Sequence, residues 1–488
     1  MPNPTLPVWT KVYGPDLDFP DFPSVAFENG NTWILMVGTG KDQNPPKIFT
    51  IWKKNNSTNP NPWDTWEIAP ILNPTDSPIP GTHPPIIATN DTTAWATTPK
   101  AYVEIFGHFD RMRHVWQKYQ NKTSQNFDFP VATLKKLDAT GWPGGKTGSR
   151  LKAAYNFDGH LQLFVSVLPN EDPAEYWTNA ARPRDLYTVA RTKVGPPWSN
   201  WKKLGHPPSG DFGGFAVFPS DLPDPVSYWP KTIDSSTLSV FAIGRDGELW
   251  FLQQRLAMGS SGSWDNINWQ SLGNYGISLT GTPAIAQAQV QTEINVNGEN
   301  QLQTDHLRFV FTTGLDGLAY LIAEQRSKPE VNLRIMSPTS PDNTNNLTFP
   351  DSGMLGWTDW CPLPAIPGAE NKFCSIFGAD ISNNGHICVF AQTQSDIWVF
   401  SIDPANLSNT PLYNPNITAW PPASANSTGL WQKIQHRDSK EKSYFVNIRN
   451  PVLAKNKAGY LQIFIVTDDA GGSSVWNLDE QAQNSILW

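Results

Sequence analysis

Short apolar runs separated by polar turns recur along the whole chain, and none keeps a helical period. The clearest are Leu161-Gln162-Leu163-Phe164-Val165-Ser166-Val167, Leu238-Ser239-Val240-Phe241-Ala242-Ile243 and Leu461-Gln462-Ile463-Phe464-Ile465-Val466. β-branched and aromatic residues dominate them, which suits a pleated strand. Turns follow such runs at Arg245-Asp246-Gly247-Glu248 and Leu315-Asp316-Gly317-Leu318. Further apolar runs, such as Leu249-Trp250-Phe251-Leu252 and Ile397-Trp398-Val399-Phe400, come after. Asp-Gly between apolar runs predicts a β-hairpin.

A second pattern sets the phase of the first. Trp, two residues and an aliphatic residue recur at Trp9-Thr10-Lys11-Val12, Trp201-Lys202-Lys203-Leu204, Trp269-Gln270-Ser271-Leu272, Trp360-Cys361-Pro362-Leu363 and Trp431-Gln432-Lys433-Ile434. Degenerate copies begin at Trp66 and Leu134. The copies start 57, 68, 67, 68, 91 and 71 residues apart, and 57 residues follow the last. A motif that recurs in this way is the mark of a repeat architecture. Four short strands per unit predict an all-β, seven-bladed β-propeller, four antiparallel strands per blade, in one domain over 1–488 with blades starting near 9, 66, 134, 201, 269, 360 and 431. One such sheet cannot hide both faces from water, and radial packing lets each cover its neighbour. With all units complete, closure of the ring falls to the tail Asn484-Ser485-Ile486-Leu487-Trp488. The long spacing before Trp360 predicts a surface loop around Ser337 to Gly353.

Composition agrees and narrows the function. Aromatics make up 12% and charged residues 16%, with 44 prolines and 22 tryptophans. That argues against disorder and against a helical protein. A net charge of −8 without a long basic run disfavours nucleic acid and anionic membrane as partners. No apolar stretch approaches the length of about 18 residues that spans a bilayer. The N-terminus carries no secretory pattern, so the chain is expected in the cytoplasm or released without a signal peptide. Cys361, Cys374 and Cys388 lack paired spacing, which disfavours both a disulfide framework and zinc. No cofactor is expected. A homo-oligomer stays open.

The stretch from Leu238 to Trp250 with Gln253, the segment Trp198-Ser199-Asn200-Trp201-Lys202-Lys203-Leu204-Gly205 and the segment Gly356-Trp357-Thr358-Asp359-Trp360 resemble the repeat of the seven-bladed β-propeller lectins of insect-pathogenic bacteria and related fungal-type propeller lectins. The resemblance implies shallow pockets for fucose or O-methylated sugars between blades. It is strongest in the fourth to sixth units; in the first three the motif is eroded.

The second Trp of each pair, with Trp9 and Trp431, is read as a wedge between sheets. The first Trp (Trp63, Trp198, Trp264, Trp357) lies in a Pro/Gly/Ser-rich connection and is expected nearer solvent, at a blade junction. An indole offers a flat face to sugar C–H bonds and an N–H to a hydroxyl. These four, with Trp250 and Trp398 of the fourth run, are the candidate sugar-binding residues. Packing is the competing role for each, and the default for Trp250 and Trp398. Asp246 and Asp316 are read as serving their turns.

No Asp-box, Gly-x-Ser-x-Gly elbow, His-Glu-x-x-His or phosphate-binding loop occurs. One dense polar cluster, Glu104, His108, Asp110, Arg111, Arg113 and His114, could line a catalytic or binding groove, but a solvated hairpin tip is the preferred reading. Three functions follow: a multivalent lectin with glycan partners, an enzyme with one asymmetric aromatic-lined pocket suited to a cationic intermediate, and a protein-interaction scaffold. Symmetry separates the first two. Equivalent pockets favour a lectin, and one site with a perturbed carboxylate or His favours catalysis.

Overall fold

A computed structural model describes residues 9–18, 24–28, 31–40, 47–54, 63–67, 86–90, 102–107, 116–119, 135–137, 139–144, 146–147, 151–155, 161–168, 183–191, 198–219, 238–254, 263–274, 276–296, 299–324, 357, 360–366, 374–383, 385–393, 396–402, 431–434, 448–455, 459–469 and 472–479. Every regular element among them is a strand. In chain order these are β1 (Thr10–Asp18), β2 (Ser24–Glu28), β3 (Asn31–Gly40), β4 (Lys47–Lys54), β5 (Trp63–Glu67), β6 (Ile86–Asn90), β7 (Tyr102–Gly107), β8 (Trp116–Tyr119), β9 (Lys135–Lys136) and β10 (Lys146–Thr147). They continue with β11 (Lys152–Tyr155), β12 (Leu161–Leu168), β13 (Asp185–Ala190), β14 (Lys202–Gly205), β15 (Phe212–Pro219), β16 (Leu238–Gly244), β17 (Leu249–Gln253), β18 (Gln270–Ser271), β19 (Leu279–Val296) and β20 (Glu299–Gly314). The last are β21 (Ala319–Ala323), β22 (Cys361–Pro362), β23 (Ser375–Ile381), β24 (Ile387–Gln392), β25 (Ile397–Ile402), β26 (Gln432–Ile434), β27 (Ile448–Lys455), β28 (Leu461–Asp469) and β29 (Gly472–Asp479).

The strands pair in sequence order into antiparallel sheets of four, as in β15-β16-β17-β18, β19-β20-β21-β22, β23-β24-β25-β26 and β6-β7-β8-β9. In the sheet of β12, β13 and β14, the first position is shared by β10 and β11. The fold is an all-β propeller.

The two chain ends meet in one sheet. β27, β28 and β29 lack a fourth strand of their own, and β1 supplies it: Thr10 pairs with Asn477, Lys11 with Trp476 and Tyr13 with Val475. At its far end β1 also pairs with β3, Leu17 with Gly40 and Asp18 with Thr39. An edge strand that would otherwise template aggregation is thereby covered. The closing element is thus the N-terminal strand, where the sequence assigned closure to the C-terminal tail; Asn484–Trp488 lies outside the described residues, as does Ser337–Gly353.

This pairing also shifts the repeat by one strand. Residues of the Trp-x-x-aliphatic motif lie in β14, β18, β22 and β26, and these pair with the third strands β13, β17, β21 and β25. The motif opens the last strand of one sheet rather than the first of the next. Its chain neighbour and its sheet neighbour differ, and a linear repeat shows only the former. Trp250, Trp398 and Trp476 accordingly sit in third strands.

Buried second strands explain the near-continuous apolar runs. All seven residues of β16 are buried. Phe241 and Ile243 join an apolar layer with Ile285, Val310 and Ile322 of the following sheet. Val240 and Ala242 point the other way, into a layer with Ala154, Phe164 and Leu186 of the preceding sheet. Successive side chains alternate sides, and both sides are covered, so no polar alternation is needed.

The motif tryptophans fasten these layers. Trp269 donates its indole N–H to the Leu204 carbonyl at 3.1 Å, Trp360 to Leu272 at 2.8 Å and Trp431 to Pro364 at 2.7 Å. In each case the acceptor belongs to the closing segment of the preceding sheet. Each of these rings is buried. W360F, which keeps an aromatic ring but loses the donor, should lower the unfolding free energy by about 1–3 kcal/mol, and W360A by about 3–5 kcal/mol, measured by urea denaturation. A W360F protein as stable as the parent would show that the hydrogen bond contributes nothing.

Candidate functional site

The expected solvent-facing tryptophans are not at the surface. Trp198, Trp264 and Trp357 are 3%, 7% and 8% exposed. Each meets a phenylalanine of the preceding sheet's second strand edge-on: Trp198 on Phe106 at 5.7 Å, Trp264 on Phe164 at 5.8 Å and Trp357 on Phe241 at 5.9 Å between ring centroids. The rings turn in against the neighbouring sheet, because an aromatic pair in apolar surroundings outweighs exposure. Trp63 falls within β5 rather than in a connection, paired with Lys53, and its side chain lies outside the described residues. Trp250 and Trp398 are partly buried against the apolar layers.

Arginines cover two of the buried indoles. Arg191 lies 5.2 Å from the Trp198 ring centroid and pairs with Glu104 at 2.8 Å. Arg308 lies 5.5 Å from that of Trp357 and grips Glu324 through Nε at 2.9 Å and Nη2 at 2.8 Å. Glu104 is fully buried in this pairing across a sheet junction. That corrects the reading of Glu104 as part of a polar groove; His108, Asp110, Arg111, Arg113 and His114 lie outside the described residues.

The hairpin aspartates do local work. Asp246 accepts the Glu248 backbone N–H at 3.1 Å and the Trp250 indole N–H at 3.1 Å. Asp316 accepts the Leu318 N–H at 3.1 Å and the Tyr320 hydroxyl at 2.5 Å. Gly247 has φ +74°, and a Cβ there would stand 2.8 Å from Ser278 of the next sheet, so only glycine fits.

A polar group that the sequence did not single out is built around the crossing from β14 to β15, residues 205–212. In an antiparallel four-strand sheet this crossing lies at the same end as the turn between the second and third strands. Two consecutive residues at the start of β13 meet it. Arg184 forks onto Asp211, with Nε to Oδ1 at 2.8 Å and Nη2 to Oδ2 at 2.8 Å, and also reaches the Phe212 carbonyl at 3.1 Å. Asp185 holds His206 Nδ1 at 2.8 Å through Oδ1 and Lys203 Nζ at 2.6 Å through Oδ2. The Asp185 side chain is 6% exposed and the His206 ring 33%. The next sheet joins from the other side. The Arg245 backbone N–H donates to the Asp211 carbonyl at 2.9 Å, and a Cβ on Gly244 would touch Ser209 Oγ, Asp246 Oδ1 and the Trp250 ring together. At the following junction the equivalent position, Gly314, faces Asp316, Tyr320 and Ile277. A serine hydroxyl at one junction is thus an apolar side chain at the next, and the polar group is not repeated there.

Neighbouring charge sets the ionisation of Asp211 and Lys203. Burial pushes the Asp211 carboxyl up, but the Arg184 hydrogen bonds and charge, with backbone donors, outweigh it and hold the carboxyl below its ordinary range. The hydrogen bond to Asp185 raises Lys203, keeping it an ammonium. Burial, then the Asp185 charge, raises Tyr187. Elsewhere, burial lifts the Cys374 thiol to about 11, so it is inert at neutral pH. Among the described residues no three His, Cys, Asp or Glu side chains stand close enough to hold a metal ion.

The molecule is thus a β-propeller in which a polar, partly open group stands at the junction of the β12–β14 and β15–β18 sheets. No family model and no curated protein matches the chain. Solved structures similar to it include AofleA from Arthrobotrys oligospora, at 10% identity over 80% of this chain and 86% of that one, with a TM-score of 0.36. They also include the polysaccharide lyase Uly1, at 8% identity over 94% and 90%, with a TM-score of 0.45. A third is a PL25 ulvan lyase, at 9% identity over 96% and 84%, with a TM-score of 0.32.

Because the Asp211 carboxyl is held low in the folded protein, its contribution to stability is complete above the unfolded value, near pH 4, and is lost as pH falls through the folded one. Denaturation of the parent and D211N should therefore show a stability gap at neutral pH that closes on acidification. A gap independent of pH would contradict the role of the Arg184 fork.

Proposed function

We propose that the protein is a carbohydrate-binding β-propeller of seven blades and that it meets its glycan at the crossing around His206 and Asp211. The observation that supports this reading is the half-exposed Arg184–Asp211 fork beside the Asp185–His206–Lys203 group. Sugars present neighbouring hydroxyls that donate and accept. A planar guanidinium, a carboxylate and an imidazole match them with directed hydrogen bonds. Trp250, partly exposed across the Gly244 floor, adds an aromatic edge for sugar C–H groups. The polar group has three acidic or neutral partners for its cations, so a polyol suits it better than a highly charged polymer such as nucleic acid.

Several equivalent aromatic pockets no longer suit the geometry, since three of the four connection tryptophans are buried. One site, or few, replaces the multivalent ring. Fucose and O-methylated sugars remain the first ligands to test, on the strength of the repeat's resemblance to propeller lectins. The asymmetry also favours catalysis as a second reading, because a buried carboxylate orients a partly open imidazole.

A glycan array followed by titration calorimetry tests the proposal. Binding should be found, and R184A or W250A should weaken it at least about tenfold, or about 1.4 kcal/mol. No glycan bound at millimolar concentration would sink the reading, and full affinity in both variants would place the site elsewhere.

A further inference from the structure

We infer that the hairpin of β19 and β20 is the contact through which two copies of this chain join, edge to edge about a two-fold axis. These strands are 18 and 16 residues long and stay paired from Leu279 with Gly314 to Val296 with Glu299. The third strand, β21, follows β20 only as far as the bond from the Glu324 N–H to the Arg308 carbonyl. In the next sheet, by contrast, β25 accompanies β24 to its first pair, Ile387 with Ile402. Ala288 and Leu307 are the last residues of the hairpin in the apolar layer against that sheet. Beyond them Gln289–Val296 and Glu299–His306 continue as a two-stranded ribbon, roughly 27 Å long at about 3.4 Å per residue. Among the described residues no strand pairs with either edge of this ribbon.

A ribbon of two strands is marginal in water, and three or more strands are needed for independent stability. Strand edges that must stay open are blunted by Pro, Lys or a bulge. Gln289–Val296 and Glu299–His306 contain no Pro, Lys or Arg, in a chain with 44 prolines. Their register runs without a shift, the hairpin's one irregularity lying between Thr280 and Ala284. By the same register Val290, Ile294 and Val296 share one face of the ribbon, the face on which Ala288 meets the next sheet. The ribbon is therefore built to be extended by a further strand.

The edge of β20 is self-complementary, which makes a second copy the occupant. The Arg308 carbonyl and the Gly314 N–H both point at β21. On an alternating ladder the backbone groups of Asn300, Leu302, Thr304 and His306 then point to that same edge. With a two-fold axis at Gln303, Asn300 faces the partner's His306 and Leu302 the partner's Thr304, and each such pair exchanges both its N–H···O bonds. Asp305 faces the partner's Gln301 and Glu299 the partner's Leu307, so no like charges stand opposed. Moving the axis to Leu302 would set Glu299 against the partner's Asp305, which fixes the register. The two ribbons become one four-stranded sheet. The hairpin leaves its sheet at the turn between first and second strands, the end opposite the His206 crossing, so both crossings stay open at the far ends of the dimer.

Light scattering after size exclusion and sedimentation equilibrium on the full chain test this. The parent should show twice the mass of one chain at high concentration and dissociate on dilution. T304P removes an N–H aimed at the free edge and no bond to β19, so it should weaken the dimer at least about tenfold through the two bonds lost across the axis. Q303K sets two ammonium groups against each other on the axis and should weaken it at least about fivefold. Mixing Q303K with Q303E should restore the parent's affinity, which separates a repelled edge from a misfolded chain. A parent that stays monomeric throughout the concentration series would overturn the inference. Amide exchange at residues 300–306 would then assign the edge to another stretch of this chain if slow, and to no partner if fast. A dimer left intact by T304P and Q303K would overturn the role of the hairpin. A complex whose mass is no multiple of the chain's own would assign the edge to a foreign strand and overturn the second copy. None of these results bears on the carbohydrate reading.

Discussion

Three successive sheets among the described residues each hand an indole N–H to the closing segment of the sheet before, and the architecture there depends on that contact. A four-stranded sheet with two apolar faces is unstable alone, because either face left in water costs the transfer free energy of a whole layer. Trp269, Trp360 and Trp431 bury their rings at the seams and satisfy a backbone carbonyl across each. The bond is directional, so it fixes how one sheet is set against the next, which packing alone leaves loose. The same demand places β1 against β29, since a sheet at the chain terminus would otherwise end in an open edge.

Against that apolar frame, polar groups between sheets fall into two kinds. Arg191 with Glu104, and Arg308 with Glu324, lie over buried indoles and have their charges answered inside the seam. Removing one partner of such a pair strands a buried charge; Arg191–Glu104 ties two sheets together, while Arg308, paired with Glu324 within its own sheet, reaches the preceding one through Ser239. Arg184, Lys203, His206 and Asp211 stand at a strand end where water reaches them, around the buried Asp185. Their internal pairing leaves hydrogen-bonding capacity facing outward, which separates a site from a strut.

The all-β class and the repeat were legible because buried second strands such as Leu238–Ile243 and the Asp-Gly turns carry local signals. The offset of one strand was not, because Trp201 and Trp269 open segments whose hydrogen-bond partners lie upstream, and chain order does not reveal pairing. Trp198, Trp264 and Trp357 were placed near solvent from the Pro- and Gly-rich context of their connections. The phenylalanines that bury them, Phe106, Phe164 and Phe241, are 92, 100 and 116 residues away by subtraction of their numbers. The group around His206 is hidden in the sequence for a similar reason: Asp185 and His206 are 21 residues apart. The one local cue was Gly205-His206-Pro207-Pro208-Ser209-Gly210-Asp211, a polar crossing dense in turn residues between two apolar runs.

Closure by the N-terminal strand is the claim on which the ring stands, and amide hydrogen exchange of the peptide covering residues 10–18 tests it most directly. Paired with β29, its amides should exchange only in the slow openings that expose the interior strands. Exchange as fast as in an unstructured terminus would show that the strand is unpaired and that the last sheet ends in an open edge.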